Sequence, residues 1–151
     1  MIYSSVGMFE IERMMREHLE AVAEIESISF SDPWSVESLE LMLTDRAMGL
    51  VATEEGRVIG YVGMMCVLDE GQIINVAVHP DARRRGVGKA LMCFAEKYAK
   101  ERGIAFLSLE VRESNTAARK LYSLLGWNEC GIRKNFYSHP IENACVMIKS
   151  I

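Results

Sequence analysis

Two periodicities alternate along the chain, and their order predicts its elements. Residues Met8 to Arg13 read as a first strand, with residues 1–8 a loose N-terminal extension. Apolar positions at Leu19, Val22, Ala23, Ile25 and Ile28 have helical spacing, and Ser31-Asp32-Pro33-Trp34 ends that run. Ser35 then caps a second short helix reaching about Leu43. Leu50–Thr53 and Val58–Val67 form a hairpin around Glu55-Gly56. A strand over 72–79 precedes a long helix over 86–101, whose apolar positions are Val87, Ala90, Leu91, Phe94, Ala95 and Tyr98, with Gly103 as its stop. Phe106–Val111 is a strand, Asn115–Leu125 a helix stopped by Gly126, and two strands near Asn128–Arg133 and Ala144–Lys149 finish the chain. Antiparallel hairpins interleaved with helical crossovers imply an α/β domain with a mixed sheet, a single domain over residues 1–151.

One junction breaks the ordinary rules of charge. Arg83-Arg84-Arg85-Gly86-Val87-Gly88-Lys89 stands where the long helix begins, and positive charge there opposes the helix dipole. An anion bound to the free backbone N–H groups would remove the conflict, and the glycines permit close approach. The segment therefore reads as a phosphate cradle; a solvated basic turn is the other reading. A Walker loop would need glycine at position 83 and a hydroxyl residue at position 90, where Arg83 and Ala90 stand. A dinucleotide fingerprint would need glycine at position 91, which is Leu91.

Composition narrows the function classes. Half of the 151 residues are apolar, a quarter are charged, and the net charge is −4. That balance opposes wholesale nucleic-acid binding and leaves room for a basic peptide at an acidic rim. No secretory signal and no membrane-length apolar run is legible, so a cytoplasmic location is expected. Cys66, Cys93, Cys130 and Cys145 have no ligand spacing and read as small hydrophobes in a reducing compartment. No metal site is expected, and no G-x-S-x-G nucleophile motif is present.

A second constellation follows the cradle. In Ala105-Phe106-Leu107-Ser108-Leu109-Glu110-Val111, alternation puts Ala105, Leu107, Leu109 and Val111 on one face and Phe106, Ser108 and Glu110 on the other. Glu110 lies at the strand's C-terminal end, where open α/β sheets bind ligands. Tyr122 lies on the next helix, which Asn115 can cap. The two side chains can face one cleft as proton acceptor and donor. Each also has a plainer reading, Glu110 as a wet strand residue and Tyr122 as part of a core stripe with Ala118 and Leu125.

The strand ending Val78-His79-Pro80, then Arg83-x-x-Gly86-x-Gly88, then Leu109-x-Val111-x-x-x-Asn115-x-x-Ala118-x-x-Leu121-Tyr122-x-x-x-Gly126-Trp127, resembles the GCN5-related N-acetyltransferase superfamily. The likeness spans about Phe9 to Ile148. It implies a mixed, mainly antiparallel seven-stranded sheet with four helices, split between its fourth and fifth strands to admit acetyl-CoA. Phe30-x-x-Pro33-Trp34-Ser35, Ile74-Asn75-Val76-Ala77-Val78 and Arg133-Lys134-Asn135-Phe136-Tyr137 look like the ribosomal-protein-alanine N-acetyltransferase branch. That branch acetylates a protein N-terminus, in bacteria that of small-subunit ribosomal protein S18.

By position, the resemblance implies that Val76, Ala77 and Val78 run beside the pantetheine arm, with a backbone N–H around Val78 polarising the thioester carbonyl. Arg84, Arg85, Gly86, Val87, Gly88 and Lys89 would cradle the pyrophosphate, chiefly through main chain, and Asn115 would contact the cofactor. Glu110 corresponds to the general base and Tyr122 to the acid that reprotonates the departing thiolate. The Trp34 loop and an Asn135–Tyr137 loop would flank the peptide groove, although Trp34 and Tyr137 also read as packing aromatics. The sequence departs from the branch at Phe136, where a second tyrosine is usual, and at Asn143, where an acidic residue is usual. Alternatives are a member of the same superfamily acting on lysine or small-molecule amines, a CoA-binding module without turnover, and a nucleic-acid binder using Arg83–Arg85, which the acidic balance opposes.

Overall fold

A computed structural model describes residues 2–6 and 9–151, with side chains from Phe9 onward. Met8, the expected start of the first strand, lies outside the described residues. The elements are β1 (Ile2–Val6), β2 (Phe9–Arg13), α1 (Leu19–Ser29), α2 (Val36–Leu39), β3 (Ala47–Glu54), β4 (Arg57–Val67), β5 (Glu70–Val78), α3 (Val87–Glu101), β6 (Phe106–Arg112), α4 (Thr116–Leu124), β7 (Asn128–Ser138) and β8 (Ile141–Ser150). Among the described residues the strands form one sheet in the order β1-β2-β3-β4-β5-β6-β8-β7. Seven of them make the expected sheet. The eighth, β1, replaces the expected loose extension: it pairs antiparallel with β2, Val6 opposite Phe9 and Ser5 opposite Glu10.

Local chemistry accounts for most boundaries. Glu55 and Gly56 both adopt positive φ, 50° and 79°, the two-residue turn that suits the twist of a hairpin. Ser35 caps α2, its hydroxyl accepting from Ser38 N, and the helix then tightens into a 3-10 turn over Glu40–Leu43. Gly103 and Gly126 close their helices at φ 79° and 96°, the left-handed conformation that favours glycine.

The sheet is sandwiched between helices. One face packs against α3 and α4 through Ile73, Leu107, Leu109 and Val111, with Val87, Leu91, Ala95 and Tyr122 from the helices. The other packs against α1 and α2 through Val51, Tyr61 and Ala77, with Val22, Ile25 and Leu39. Gly60 on β4 sets how closely α3 approaches: a Cβ there would lie 3.1 Å from Val87 Cγ1 and 3.3 Å from Leu91 Cδ1.

The parallel junction positions the site. β5 and β6 pair only at Glu70–Phe106, Gly71–Leu107 and Gln72–Ser108. Just beyond, the β4–β5 register shifts, with Gly63 opposite Asn75 and Met64 opposite Ile73, so Ile74 is an extra residue on β5. A bulge of this kind bends its strand and increases its twist. β5 therefore swings away from β6, which stays in register with β8 from Phe106–Ser150 to Arg112–Ala144. The sheet opens into a wedge between Asn75–Val78 and Leu109–Arg112. These are the fourth and fifth strands of the expected seven.

Candidate active site

The main chain of β5 supplies donors to the wedge. His79 N donates to Ile59 O on β4 at 2.8 Å. Successive N–H groups of a strand point to opposite sides. Ala77 therefore faces β4, while the N–H groups of Val76 and Val78 point into the gap where β6 has departed. A strand buried elsewhere in a sheet would have these groups paired.

At the end of β5 the chain turns through His79–Arg83. His79 Nδ1 accepts from Asp81 N at 3.1 Å, Pro80 opens a short 3-10 turn, and Arg83 Nε donates to Val78 O at 3.3 Å. Arg84 and Gly86 both have positive φ, 63° and 78°. Alternation with left-handed residues curls the backbone into a concave nest of N–H groups. Gly86 is the N-cap of α3 and has no side-chain capping bond, so the first N–H groups of the helix stay open. A Cβ on Gly88 would meet Val78 Cγ2 at an ordinary 3.6 Å, so internal packing does not demand glycine there. The Arg85 guanidinium is ion-paired with Glu54, which holds that carboxyl below its usual range. Among the described residues Arg84 and Lys89 form no ion pair. The nest thus offers main chain plus two unpaired cations, which fits a diphosphate.

Two side chains reach the wedge from opposite faces of the sheet. Leu107, Leu109 and Val111 of β6 are buried with α3 and α4, so Glu110 emerges on the α1–α2 face. Ala105, expected to share the buried face, is exposed. Glu110 lies 3.2 Å (Oε1) from Arg133 Nε of β7, which orients its carboxylate. Tyr122 comes from the α3–α4 face, 7% exposed, its ring 6.0 Å from that of Trp127. Burial, reinforced by the nearby Tyr137, pushes its pKa up to about 12, so the phenol stays a proton donor. Tyr122 is a core aromatic whose hydroxyl has no hydrogen bond among the described residues. Glu110 and Tyr122 do not line one wall; they come from opposite faces of the sheet, each near Tyr137.

Tyr137 is their common neighbour. Burial raises its pKa to about 12, offset by Arg112, whose guanidinium carbon lies 4.3 Å from the ring centroid, and augmented by Glu110 and Glu142. Asn135–Tyr137, expected as a loop, belongs to β7, whose register slips between Arg133 and Tyr137; Asn135 has φ 52° and its N–H donates to Asn143 Oδ1 at 3.0 Å. The two final strands are accordingly one long hairpin turning at His139-Pro140. Phe136, half-exposed, packs edge-on against Tyr137.

That hairpin turn is bound to the loop after α1. Arg112 donates to Pro140 O, His139 O, Glu142 and, at 3.4 Å, Ser31 Oγ. Glu142 also accepts from Ser114 N at 2.6 Å, and His139 Nδ1 lies 3.0 Å from Asp32. Trp34 is half-buried beside a shallow depression also lined by Leu39, Met42, Tyr61, Ile74 and Asn75. Asn115 spends its carbonyl oxygen on Ala118 N, capping α4 at 3.2 Å.

Sequence reasoning assigned no role to Arg112, Arg133 or Glu26. Arg133 entered only as part of the Arg133–Tyr137 run, and Glu26 sits within an unremarkable helical pattern. Cys93 and Cys130, read as small hydrophobes, are exposed; all four cysteines are free. Among the described residues there is no metal-competent cluster, and no helix is long and apolar enough to cross a membrane.

The profile of the acetyltransferase (GNAT) family matches residues 19–127. The [ribosomal protein bS18]-alanine N-acetyltransferase of Escherichia coli (strain K12) is 39% identical over 119 residues, 79% of this chain and 80% of that one. The crystal structure of the ribosomal-protein-S18-alanine N-acetyltransferase from Escherichia coli superposes with a TM-score of 0.89 at 36% identity, covering 95% and 94% of the two chains. Ard1 from Thermoplasma volcanium superposes at 0.88 with 26% identity, covering 96% and 99%.

Proposed function

The chain belongs to the acetyltransferase (GNAT) family, and we propose that it transfers acetyl from acetyl-CoA directly to the N-terminal α-amine of a protein. The acceptor is the N-terminal alanine of ribosomal protein S18, which the names of its relatives specify for those proteins; a ribosomal-protein acceptor supports a cytoplasmic reaction. The observation that carries this reading is the convergence of unpaired donors and proton carriers on one gap: the N–H groups of Val76 and Val78, Glu110 from one face and Tyr122 from the other.

Acetyl-CoA supplies an acyl group activated as a thioester. The nest over Arg84–Lys89 holds its diphosphate through main chain, with Arg84 and Lys89 adding charge, and Asn115 lies beside the path of the cofactor. Val78 N–H, with Val76 N–H beside it, donates to the acyl oxygen as negative charge develops there, the largest electrostatic contribution in acyl transfer. Glu110 takes the proton released by the attacking amine, directly or through one water, in the orientation set by Arg133. Tyr122 donates to the departing sulfur. Its pKa near 12 lies above a thiol's ordinary value of about 8.5, so it stabilises the thiolate first by hydrogen bonding. Trp34 and Tyr137 flank the acceptor.

An α-amine suits a single carboxylate better than a lysine does. The reference values are about 7.7–8.0 and 10.4, a gap near 2.5 that makes the α-amine about 3.4 kcal/mol easier to deprotonate. The test is incubation with labelled acetyl-CoA and a peptide beginning with alanine and containing internal lysines, beside the same peptide with a blocked N-terminus. Label is expected only on the free α-amine. Label on lysine, undiminished by the block, overturns the assignment.

A further inference from the structure

The most deeply buried charged residue plays no part in the scheme above. Glu26, on α1, is fully inaccessible, and no cation among the described residues contacts it. Its carboxylate accepts from Tyr61 Oη at 2.5 Å, from Trp34 N at 2.9 Å, and from Asn75 Nδ2 at 3.2 and 3.3 Å to its two oxygens. Burial raises its pKa against the pull of those bonds. A buried acid held only by neutral donors is a weak source of stability, since apolar residues of similar volume often serve as well.

Its three donors, however, come from three separate elements: the loop carrying Trp34, strand β4, and β5 one residue before Val76. Above this hub lies the depression walled by Trp34, Leu39, Met42, Tyr61, Ile74 and Asn75, on the same face of the sheet as Glu110. Its walls are mostly apolar and its room is small. An amine attacking beside Val76 and Val78 carries its own α-substituent, and this depression is lined by Ile74 and Asn75 of that same strand.

We propose that Glu26 is a positioning residue for the acceptor: by tying Trp34 N to Asn75 and Tyr61 it sets the width of a seat for the first side chain of the acceptor and restricts that side chain to a small apolar one. The proposal rests on the N-terminal acetylation reading. It separates the acceptor from the donor, because the acetyl-CoA cradle lies on the other side of β5 and shares no hydrogen bond with Glu26.

The test is steady-state kinetics of the full chain with two peptides, identical except for alanine or leucine at the first position. Glu26→Gln keeps the shape but turns an amide NH2 toward donors. It is expected to raise the alanine-peptide KM about tenfold, with kcat within threefold and the acetyl-CoA KM within twofold. Glu26→Ala is expected to reduce the alanine-over-leucine preference in kcat/KM about tenfold. Tyr61→Phe removes one bond and keeps the ring; it is expected to raise the acceptor KM about threefold, so the idea stays testable should Glu26→Ala not fold. Donor and acceptor KM rising together in Glu26→Gln and Tyr61→Phe, or an unchanged preference, overturns the positioning role. A wild-type protein that acetylates neither peptide overturns the parent reading instead, and this one with it.

Discussion

The two sides of the wedge are built by different means. On the donor side, the working groups are main-chain N–H donors: Val76 and Val78 aimed into the gap, and the nest created by positive φ at Arg84 and Gly86. Even its side chains are partly spoken for, Arg85 by Glu54 and Arg83 by Val78 O. On the proposed acceptor side, nearly every candidate group is a side chain, drawn from α1, β4, β5, β6 and the β7–β8 hairpin: Glu26, Tyr61, Asn75, Glu110, Arg112, Tyr137 and Glu142. A backbone site is fixed by conformation and tolerates changes of side chain that keep the dihedrals. A side-chain site assembled from distant segments depends on each identity and is where specificity is set. The donor common to a family and the acceptor particular to one enzyme thus sit on surfaces suited to each.

The sharpest way to break this comparison is to remove the side chain proposed as the general base. Glu110→Gln is expected to lower kcat by about 10²–10⁴-fold, the usual worth of a positioned general base, while calorimetry finds coenzyme A affinity within twofold of wild type. Unchanged turnover with saturating peptide would remove Glu110 from the mechanism. Tyr122→Phe is expected to lower kcat by about 10²-fold, at the low end of the same range. Because the folded-state pKa is raised to about 12, the protonated donor persists well above the ordinary value of 10. The alkaline limb of the wild-type kcat profile should therefore show no tyrosine titration near pH 10, and one appearing there in wild type but missing from Tyr122→Phe would contradict the burial argument.

The donor side is tested by contrasting a dihedral with a charge. Gly86→Val forces a β-branched residue into φ 78° at a cost of about 1–2 kcal/mol. It is expected to weaken coenzyme A binding about tenfold as the nest reopens. Arg84→Ala keeps the backbone and is expected to weaken binding by less than threefold. If the two effects are reversed, side-chain charge rather than main chain does the gripping.

The smallest effect concerns the turn that borders the acceptor. Hydrogen bonds from Ser114 and the Arg112 guanidinium hold Glu142 below its ordinary value of 4.5. A folded pKa below the unfolded one stabilises the protein above about pH 4.5, and that contribution fades as pH falls through the folded value. Glu142→Gln is therefore expected to lower Tm by a few degrees at pH 7, with the gap to wild type closing below pH 4.5. A gap that is constant with pH would assign the loss to packing.

Much of the fold was legible from periodicity and punctuation: the α1 pattern, the Glu55-Gly56 turn, the Ser35 and Asn115 caps and the glycine stops all stand where local rules put them. The first and last strands were less legible. β1 is stabilised by pairing with β2, a non-local cause, and β7 is exposed along most of its length, so alternation carries no signal there. The turn proposed as a cradle stood out because glycines and arginines at a helix start announce a local conflict of charge and conformation. Glu110 and Tyr122 could be suggested as a pair from the strand's C-terminal end and the helix that follows, but their origin on opposite faces of the sheet was not readable at all.

What the chain alone determined was thus whatever depends on neighbours in sequence: the elements, their caps, and a backbone turn whose dihedrals come from its own residues. Tertiary structure decided the rest. The bulge at Ile74 opens the sheet only because β4 and β6 hold their own partners. The buried Glu26 finds Tyr61 and Asn75, 35 and 49 residues away along the chain, only once α1 lies on the sheet. Short-range dihedral preferences are written locally; which side chains share a cavity follows from packing many segments at once.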